Sequence, residues 1–164
     1  GVLETPVEII EAQYPVRINR YELIPDSGGP GKFRGGVSPR RVYEALTTCD
    51  LNVRHAVSFD IPSGGVDGGL PGRLGHVVIN SGTRSEIEIA GWSHEVNPGD
   101  TVTFEGGGGG GYGLPFERAT ESVLRDVKEG FVSPEAALSI YGVVVINLDG
   151  QWEIDELATR KLRL

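Results

Sequence analysis

A serine between an aspartate and two glycines is the first feature of the sequence that could take part in catalysis. The segment consists of Asp26, Ser27, Gly28 and Gly29. Backbone amides beside such a serine can form an oxyanion hole for acyl transfer. A serine nucleophile also needs a histidine base and a carboxylate that orients it. The chain has three histidines, and all of them follow the serine: His55, His76 and His94.

The order of these residues argues against a familiar serine protease site. In chymotrypsin-like proteases, whose nucleophile loop is similar to this segment, the histidine and the aspartate both precede the serine. A chain of 164 residues is also too short for their two barrels. Two interpretations remain, a convergent triad that uses one of the three histidines, and a turn in which Asp26 or Ser27 bonds backbone amides. The turn is favoured.

A run of six glycines, residues 106–111, precedes Tyr112 and Gly113. The run fits the G-x-G-x-x-G pattern trivially and lacks the Lys-Ser/Thr pair of a P-loop, so it gives no evidence for a nucleotide site. Six glycines let a backbone approach a ligand or another surface closely and expose several amides. The alternative is a mobile loop that becomes ordered only against a neighbour. The sequence leaves both interpretations open.

Neither the histidines nor the cysteine has the spacing of a metal site. The histidines have no i, i+4 or Cys-x-x-Cys partner, and we expect no metal bound by this chain alone. Cys49 is the only cysteine, so it cannot form an internal disulfide, and we expect a buried structural thiol. The sequence assembles no complete catalytic set, and the catalytic residues stay unassigned.

The charge of the chain excludes several classes of partner. With 23 acidic and 15 basic residues, the net charge is −8 and the pI is near 4.9. Nucleic acid requires a basic stripe, which the sequence lacks, and an acidic protein is repelled by anionic membrane surfaces. No apolar run approaches the roughly 20 residues of a transmembrane helix, and no signal peptide is evident. We expect a cytoplasmic protein that binds neither nucleic acid nor membranes.

The elements that position these residues fall into two parts. In residues 1–113, alternating apolar and polar side chains predict strands at 16–23, 41–46, 51–59, 76–80, 85–89 and 101–105. In residues 114–164, the pattern predicts helices at 120–129 and 134–141, a hairpin over 143–154 and a short helix capped by Asp155. We therefore expect a mainly β fold with C-terminal helices (α+β), organised as a single β-rich domain.

Several motifs, in order along nearly the whole chain, carry a family resemblance. They include ETPVEIIE at residues 4–11, DSGGPGKFRGG at 26–36, GGVDGGLPG at 64–72, GGGGYGLPFER at 108–118 and VSPEAA at 132–137. Together they resemble the C-terminal part of the hydantoinase B/oxoprolinase family. The sequence departs from the family pattern at turn positions, Ser38, Pro39 and Leu114, which puts a direct chemical role there in doubt.

The resemblance implies partners and cofactors. Residues 1–164 would form one domain like the C-terminal domain of that family, whose members are several hundred residues long. Those members work with a hydantoinase A-type subunit that carries the ATP site, and related carboxylases have metal-binding residues in the larger N-terminal portion. The resemblance therefore implies that this chain binds no cofactor. ATP and a divalent metal would lie on two partners, a hydantoinase A-type subunit and a long hydantoinase B-like subunit.

The resemblance also implies a function. Family members open hydantoins or 5-oxoproline, or carboxylate ketones such as acetone and acetophenone with bicarbonate. The first expectation is a small structural subunit, without an ATP site, in a hetero-oligomeric ketone carboxylase of the acetophenone carboxylase type. One alternative is a subunit of an ATP-dependent hydantoinase or 5-oxoprolinase, and another is a stand-alone β-rich binding module. Loops expected to contact a reaction chamber or another subunit contain Asp26, Ser27, Gly28, Gly29, Arg34, Gly108, Gly109, Gly110, Gly111 and Tyr112.

Overall fold

Antiparallel β-sheet dominates the computed structural model, which describes residues 5–54, 57–89 and 93–164. The strands in those ranges are β1 (Val16–Leu23), β2 (Pro39–Ala45), β3 (Cys49–Asn52), β4 (His76–Ile79), β5 (Ile87–Glu88), β6 (Ser93–Val96), β7 (Thr101–Glu105), β8 (Val145–Leu148) and β9 (Gln151–Ile154). The helices there are α1 (Val7–Gln13), α2 (Thr120–Lys128), α3 (Pro134–Ser139) and α4 (Glu156–Leu162). The predicted fold class, mainly β with short helices in the C-terminal part, is confirmed.

Two units, each built from separate stretches of the chain, make up the fold. Unit 1 comprises Gly1–Glu22, Pro39–Phe59 and Gly75–Gly106, and unit 2 comprises Leu23–Ser38, Asp60–Leu74 and Gly107–Leu164. The sequence predicted one domain over residues 1–164, β-rich to residue 113 and with helices and a hairpin after it. That division stays a prediction.

Unit 1 contains a five-stranded sheet with the strand order β1-β2-β7-β4-β5 and a two-stranded ribbon of β3 and β6. The central strand β7 is antiparallel to both neighbours, and Thr103 lies opposite Val42 on one side and Val78 on the other. Side chains alternate between the two faces of a strand, so one face of each strand supplies the core. The buried core residues are Ala45, Val77, Ile79, Val96 and Val102.

Unit 2 contains α2, α3, α4 and the β8-β9 hairpin, with an apolar core of Val123, Val127, Val132, Ala136, Ala137, Tyr141 and Val143. The side chain of Ser133 caps α3 and that of Asp155 caps α4, each by accepting a hydrogen bond from a backbone amide in the first turn. Asp149 and Gly150 both have positive φ, as the tight hairpin turn requires. These local signals were sufficient to predict the elements.

Residues 7–13, which were expected to lie in a part made of strands and turns, form helix α1 instead. Pro6 precedes the helix and has a φ of −54°, close to the helical value. Glu8 lies in the first turn, where a carboxylate interacts favourably with the helix dipole. The last three residues of α1 are good helix formers.

The strand predicted over residues 51–59 is wrong in its extent. Strand β3 covers Cys49–Asn52, and Val57–Phe59 forms a 3-10 turn. Among the described residues, the last pair of the ladder between β3 and β6 joins Asn52 and Ser93. His55 lies outside the described residues. The other predicted elements are present, with ends that differ by up to two residues.

Candidate functional site

The hydroxyl of Ser27 is fully buried and bonds only the backbone among its described partners. It donates to the carbonyl oxygen of Ile24 at 2.6 Å and accepts from the amide of Ser38 at 2.7 Å. A hydroxyl held in this way is inaccessible to a substrate. The interpretation of this segment as a turn is confirmed. The hydroxyl of Ser27 links the backbone at Ile24 to the backbone at Ser38.

Asp26 connects the same turn to helix α3. Its φ of 58° is in the left-handed region, which aspartate tolerates better than most residues. Its amide donates to the carbonyl of Phe131 at 3.0 Å, and its Oδ1 accepts from the amide of Ser133 at 2.9 Å. Asp26 therefore positions the start of α3, where Ser133 is the capping residue.

The glycine run packs between two other segments of unit 2. We call residues 27–36, 63–73 and 108–113 together the glycine core. On one side, the amide of Gly111 donates to the carbonyl of Leu70 at 2.9 Å. On the other side, the carbonyl of Gly109 accepts from the amide of Gly29 at 2.7 Å. The run is therefore an ordered interior segment, and the surface that it approaches closely belongs to its own chain.

Space, and not backbone conformation, requires glycine in this run. Neither Gly108 nor Gly111 has a positive φ. A Cβ at Gly108 would overlap the carbonyl of Ser27, and a Cβ at Gly111 would overlap that of Pro30. Side chains would force the segments apart and break the hydrogen bonds between them. The other glycines predicted as contact residues lie in the same core: Gly28, Gly29, Gly109 and Gly110.

Arg34, another predicted contact residue, is bound to a carboxylate within unit 2. Asp126 of α2 accepts from Nη2 of Arg118 at 2.8 Å and from Nε of Arg34 at 3.3 Å. The Asp126 side chain is 5% exposed, and the two arginine side chains are 14% and 12% exposed. The Arg34 guanidinium also lies 5.0 Å from the centre of the Phe131 ring. We call this buried group of Arg34, Arg118 and Asp126 the Asp126 clamp.

Tyr141 is buried in the core of unit 2. Its carbonyl accepts from Nη2 of Arg163 at 2.7 Å, and the same Nη2 donates to the carbonyl of Arg118 at 3.0 Å. The Tyr141 hydroxyl has no hydrogen-bond partner among the described residues. Burial raises the pKa of this hydroxyl above its usual value near 10, and burial lowers the pKa of the Arg163 guanidinium.

Tyr112 is the centre of an exposed apolar surface on the glycine core. It pairs antiparallel with Phe33, with their ring centres 6.2 Å apart, and parallel with Val66. The chain turns after Tyr112 so that the side chain of Leu114 lies against Gly68. We call Phe33, Val66, Tyr112 and Leu114 the aromatic face; each of them is 50% exposed or more. Of these four residues, only Tyr112 was predicted from the sequence.

The remaining candidate ligands lie in unit 1. His76 Nε2 is 3.3 Å from Glu105 Oε2, and Cys49 is a half-buried free thiol. The Nε2 of His94 is buried and has no hydrogen-bond partner among the described residues. In the described part of the chain, no group of three or more histidine, cysteine, aspartate or glutamate residues could hold a metal ion. Nor does any helix described there have the length and apolar character needed to span a membrane.

The sequence model of one protein family, hydantoinase B/oxoprolinase, matches residues 1–115. The chain belongs to the hydantoinase B/oxoprolinase family. The resemblance that the motifs predicted is therefore confirmed at the level of the family. The match includes all three segments of the glycine core, so the arrangement of backbone described above lies within the region that defines membership.

Curated relatives match nearly the whole of this family member. It is 41% identical over 163 residues to the uncharacterized protein MJ0963 of Methanocaldococcus jannaschii, and 37% identical over 168 residues to the caprolactamase subunit beta of Pseudomonas jessenii. It is 28% identical over 200 residues to the acetone carboxylase alpha subunit of Xanthobacter autotrophicus. These alignments cover 98%, 99% and 96% of this chain, but only 28%, 28% and 25% of the relatives.

Two solved structures have the same fold. The ATP-dependent caprolactamase from Pseudomonas jessenii matches with a TM-score of 0.77 and 32% identity, over 96% of this chain and 28% of that chain. A nucleotide-free acetone carboxylase matches with a TM-score of 0.80 and 23% identity, over 97% of this chain and 26% of that chain. This chain thus spans about a quarter of the length of each of these relatives and solved structures.

Proposed function

We propose that this chain is a structural part, without an ATP site of its own, of an ATP-dependent enzyme complex of the hydantoinase and carboxylase type. The observation that carries the proposal is the alignment of nearly the whole chain with subunits of such enzymes, together with the family match. The geometry of unit 2 supports a structural role. The hydroxyl of Ser27 is buried, and the arginines of the Asp126 clamp are paired with a carboxylate of the same unit. The glycine run is hydrogen-bonded to the backbone of neighbouring segments.

The aromatic face is the surface that we assign to contact with the rest of the complex. Four exposed apolar side chains on the glycine core form a patch, and exposed apolar patches mark interaction sites. Aromatic side chains are enriched at protein interfaces. In the proposed complex, ATP and a divalent metal are bound by a hydantoinase A-type subunit and a long hydantoinase B-like subunit. A cytoplasmic location remains part of the proposal.

The first candidate reaction is ATP-dependent hydrolysis of a cyclic amide. It is favoured by the 37% identity to the caprolactamase subunit, which exceeds the 28% identity to the acetone carboxylase subunit. Opening an amide ring is acyl transfer to water, in which the bond between the carbonyl carbon and the ring nitrogen breaks and the nitrogen leaves as an amine. Phosphoryl transfer from ATP to the amide oxygen would activate that carbon for water, and after the amine leaves, a second water would hydrolyse the resulting acyl phosphate and release phosphate. This chain would contribute scaffold and contact surface to the complex that encloses the reaction.

The second candidate is ATP-dependent carboxylation of a ketone, as expected for a complex of the acetophenone carboxylase type. The alignment with the acetone carboxylase alpha subunit over 96% of this chain favours it. Exclusion of water would be important in this reaction, because activated forms of bicarbonate hydrolyse readily.

The proposal is tested on the complex purified gently from its source. We expect a native mass far above the 17.5 kDa of this chain, with an ATP-binding subunit among the chains that co-purify. ADP release is then compared for a panel of hydantoin, 5-oxoproline and caprolactam and for acetone or acetophenone with bicarbonate. Release stimulated by the amides supports the first candidate, and release that requires ketone and bicarbonate together supports the second.

The matched control is the same ADP assay without an organic substrate, which measures uncoupled hydrolysis. A lone monomer of 17.5 kDa with no ATP-binding partner would overturn the proposal and leave the stand-alone binding module as the better account. A complex whose ADP release responds to neither panel would overturn both candidate reactions.

A further inference from the structure

Unit 1 contains a cavity of about 610 Å³ that plays no part in the proposed function. Sites for small molecules commonly have volumes of about 300–1,000 Å³. The cavity is lined by residues of the sheet strands β2, β4 and β7, of the ribbon strands β3 and β6, and of the stretch from Ile10 to Val16. It is therefore a space between the sheet, the ribbon and the N-terminal stretch of a single unit.

The walls of this cavity are mainly apolar. Aromatic groups come from Tyr43 of β2 and Phe104 of β7, and aliphatic groups come from Leu51, Val96 and Val102. Val96 and Val102 also belong to the buried core of unit 1, so the floor of the cavity is the core itself. Such walls favour an occupant with an apolar body, because burial of apolar surface drives binding.

Polar residues of β3 and of the stretch after it also line the cavity. Asp50, Asn52 and Arg54 are exposed, and they alternate along the chain with half-buried residues that also line the cavity. Because side chains alternate between the two faces of a strand, the side chains of Asp50, Asn52 and Arg54 lie on the face opposite those of Cys49, Leu51 and Val53, which pack against the core. This stretch therefore adds no charged group to the apolar walls, which favours a neutral occupant.

Arg41 also lines the cavity, but its guanidinium is directed to other groups. It lies 4.4 Å from the centre of the Tyr21 ring, and it donates to the hydroxyls of Tyr21 at 3.2 Å and Tyr43 at 3.3 Å. Arg41 therefore supports the aromatic wall, and the occupant does not need a negative charge to pair with it.

We propose that this cavity binds a neutral, mainly apolar small molecule. The molecule lies against Leu51, Val102 and Phe104. The inference depends on the cavity and not on the proposed function. Binding to the chain without ATP is measured separately from turnover, so the two proposals can fail independently.

Cys49 provides a specific reporter for this site. It is the only cysteine of the chain, it is half-buried, and it lines the cavity. The probe is N-phenyl-1-naphthylamine, a neutral apolar amine that fluoresces when it is removed from water. We expect saturable binding of one probe per chain and a reduction of at least tenfold in the rate at which N-ethylmaleimide alkylates Cys49 when the probe is saturating.

Variants that fill the cavity complete the test. Leu51→Trp places a large side chain in the cavity and should lower probe affinity by at least tenfold, and Val53→Trp is a second such variant if the first does not fold. The matched control is Leu46→Trp, an exposed residue of unit 1 that does not line the cavity, and it should bind the probe like the unaltered chain. Thermal unfolding of each variant checks that it is folded.

Three results would overturn the proposal. The first is probe fluorescence that does not saturate, or that is the same in the folded Leu51→Trp or Val53→Trp variant. The second is alkylation of Cys49 that is unaffected by the probe. The third is loss of probe binding, with protection of Cys49, as soon as the chain assembles with its partner chains, because a protein segment would then be the occupant.

Discussion

At the scale of single residues, neighbouring glycines differ in what surrounds them. A Cβ at Gly35 would overlap the carbonyl of Gly109, whereas a Cβ at Gly36 would meet nothing within 4 Å. Neither residue has a positive φ, so the two positions differ in space and not in backbone conformation. This pair separates the effect of close packing in the glycine core from the general effect of replacing glycine.

We predict that Gly35→Ala lowers the free energy of unfolding by about 1–3 kcal/mol or more, as overpacking of a tight interior does. Gly36→Ala, the matched control, should be neutral or stabilising by up to about 1 kcal/mol, because alanine restricts the unfolded chain. Urea denaturation followed by circular dichroism measures both values. Equal effects of the two substitutions would contradict the close approach of residues 35 and 109.

The unpartnered hydroxyl of Tyr141 leads to a second prediction at this scale. Tyr141→Phe should leave stability at pH 7 unchanged or raise it by about 1 kcal/mol, because no hydrogen bond is lost and a buried polar group is removed. Burial raises the folded-state pKa, so the contribution of neutral Tyr141 is complete below about pH 10 and is lost as the pH rises through the folded value.

Urea denaturation at several pH values between 7 and 11 measures this difference. The free energy of unfolding of the unaltered chain should fall above pH 10 more steeply than that of Tyr141→Phe. A substitution that is strongly destabilising at pH 7 would mean that the hydroxyl has a partner after all.

At the scale of elements, helix α2 is tied to two separate stretches of chain by one carboxylate. Asp126 lies on α2, Arg118 precedes the helix, and Arg34 belongs to the glycine core. The same unit contains an exposed ion pair, in which Lys32 Nζ is 3.2 Å from Glu117 Oε2. The two sites differ mainly in burial, which is the property that determines the cost of losing one partner.

We predict that Asp126→Asn lowers the free energy of unfolding by about 3–5 kcal/mol, because it leaves two buried guanidinium groups without a counter-charge. The matched control Glu117→Gln removes the exposed pair and should cost at most about 1 kcal/mol. Thermal and urea unfolding at neutral pH give both values. An Asp126→Asn chain as stable as the control would show that the clamp is hydrated and not buried.

Local signals predicted most of the elements, and long-range pairing explains those that were missed. The caps of α3 and α4 and the Asp149-Gly150 turn each depend on residues within one turn of chain, so the sequence contains them directly. In the described residues, strand β6 is a four-residue segment of mixed polarity that pairs with β3, some forty residues earlier. No pattern of neighbouring residues indicates that pairing, so neither β6 nor the end of β3 was predicted from the sequence.

At the scale of the whole molecule, the sequence indicated the segments of unit 2 but not how they pack together, and their contact with a chamber or another subunit stays a prediction. Asp26, Ser27 and the glycines were expected to contact a chamber or another subunit, and the structure places them in a core that holds unit 2 together. Several of their partners are distant in the sequence, such as Ser133 for Asp26 and Gly109 for Gly29, so spacing could not indicate them. The aromatic face was missed because three of its four residues are isolated apolar positions between turn residues.

We predict that the double substitution Phe33→Ser and Tyr112→Ser lowers the affinity of this chain for the rest of its complex by at least tenfold. Both side chains are half exposed or more, so their removal should hardly change the stability of the chain itself. Leu157→Ser is the matched control, since Leu157 is 74% exposed on α4 and lies outside the aromatic face. Competition of each variant with the unaltered chain during assembly measures the affinity.

If the double variant assembles as well as the unaltered chain, the aromatic face is not the contact surface. If Leu157→Ser weakens assembly equally, the contact surface is not confined to that face.

The glycine core has a consequence for the gene. Every glycine codon begins with two guanines, so a base change at either position gives a residue with a side chain or a stop codon, and only third-position changes are silent. Codons 108 to 111 should therefore vary between related genes almost entirely at third positions, since Gly108 and Gly111 have no space for a Cβ. Repeated guanine-rich triplets also favour slippage during replication. A gain or loss of one triplet would move Gly109 and Gly111 away from their partners Gly29 and Leu70, so the length of the run should be under selection as well as its composition.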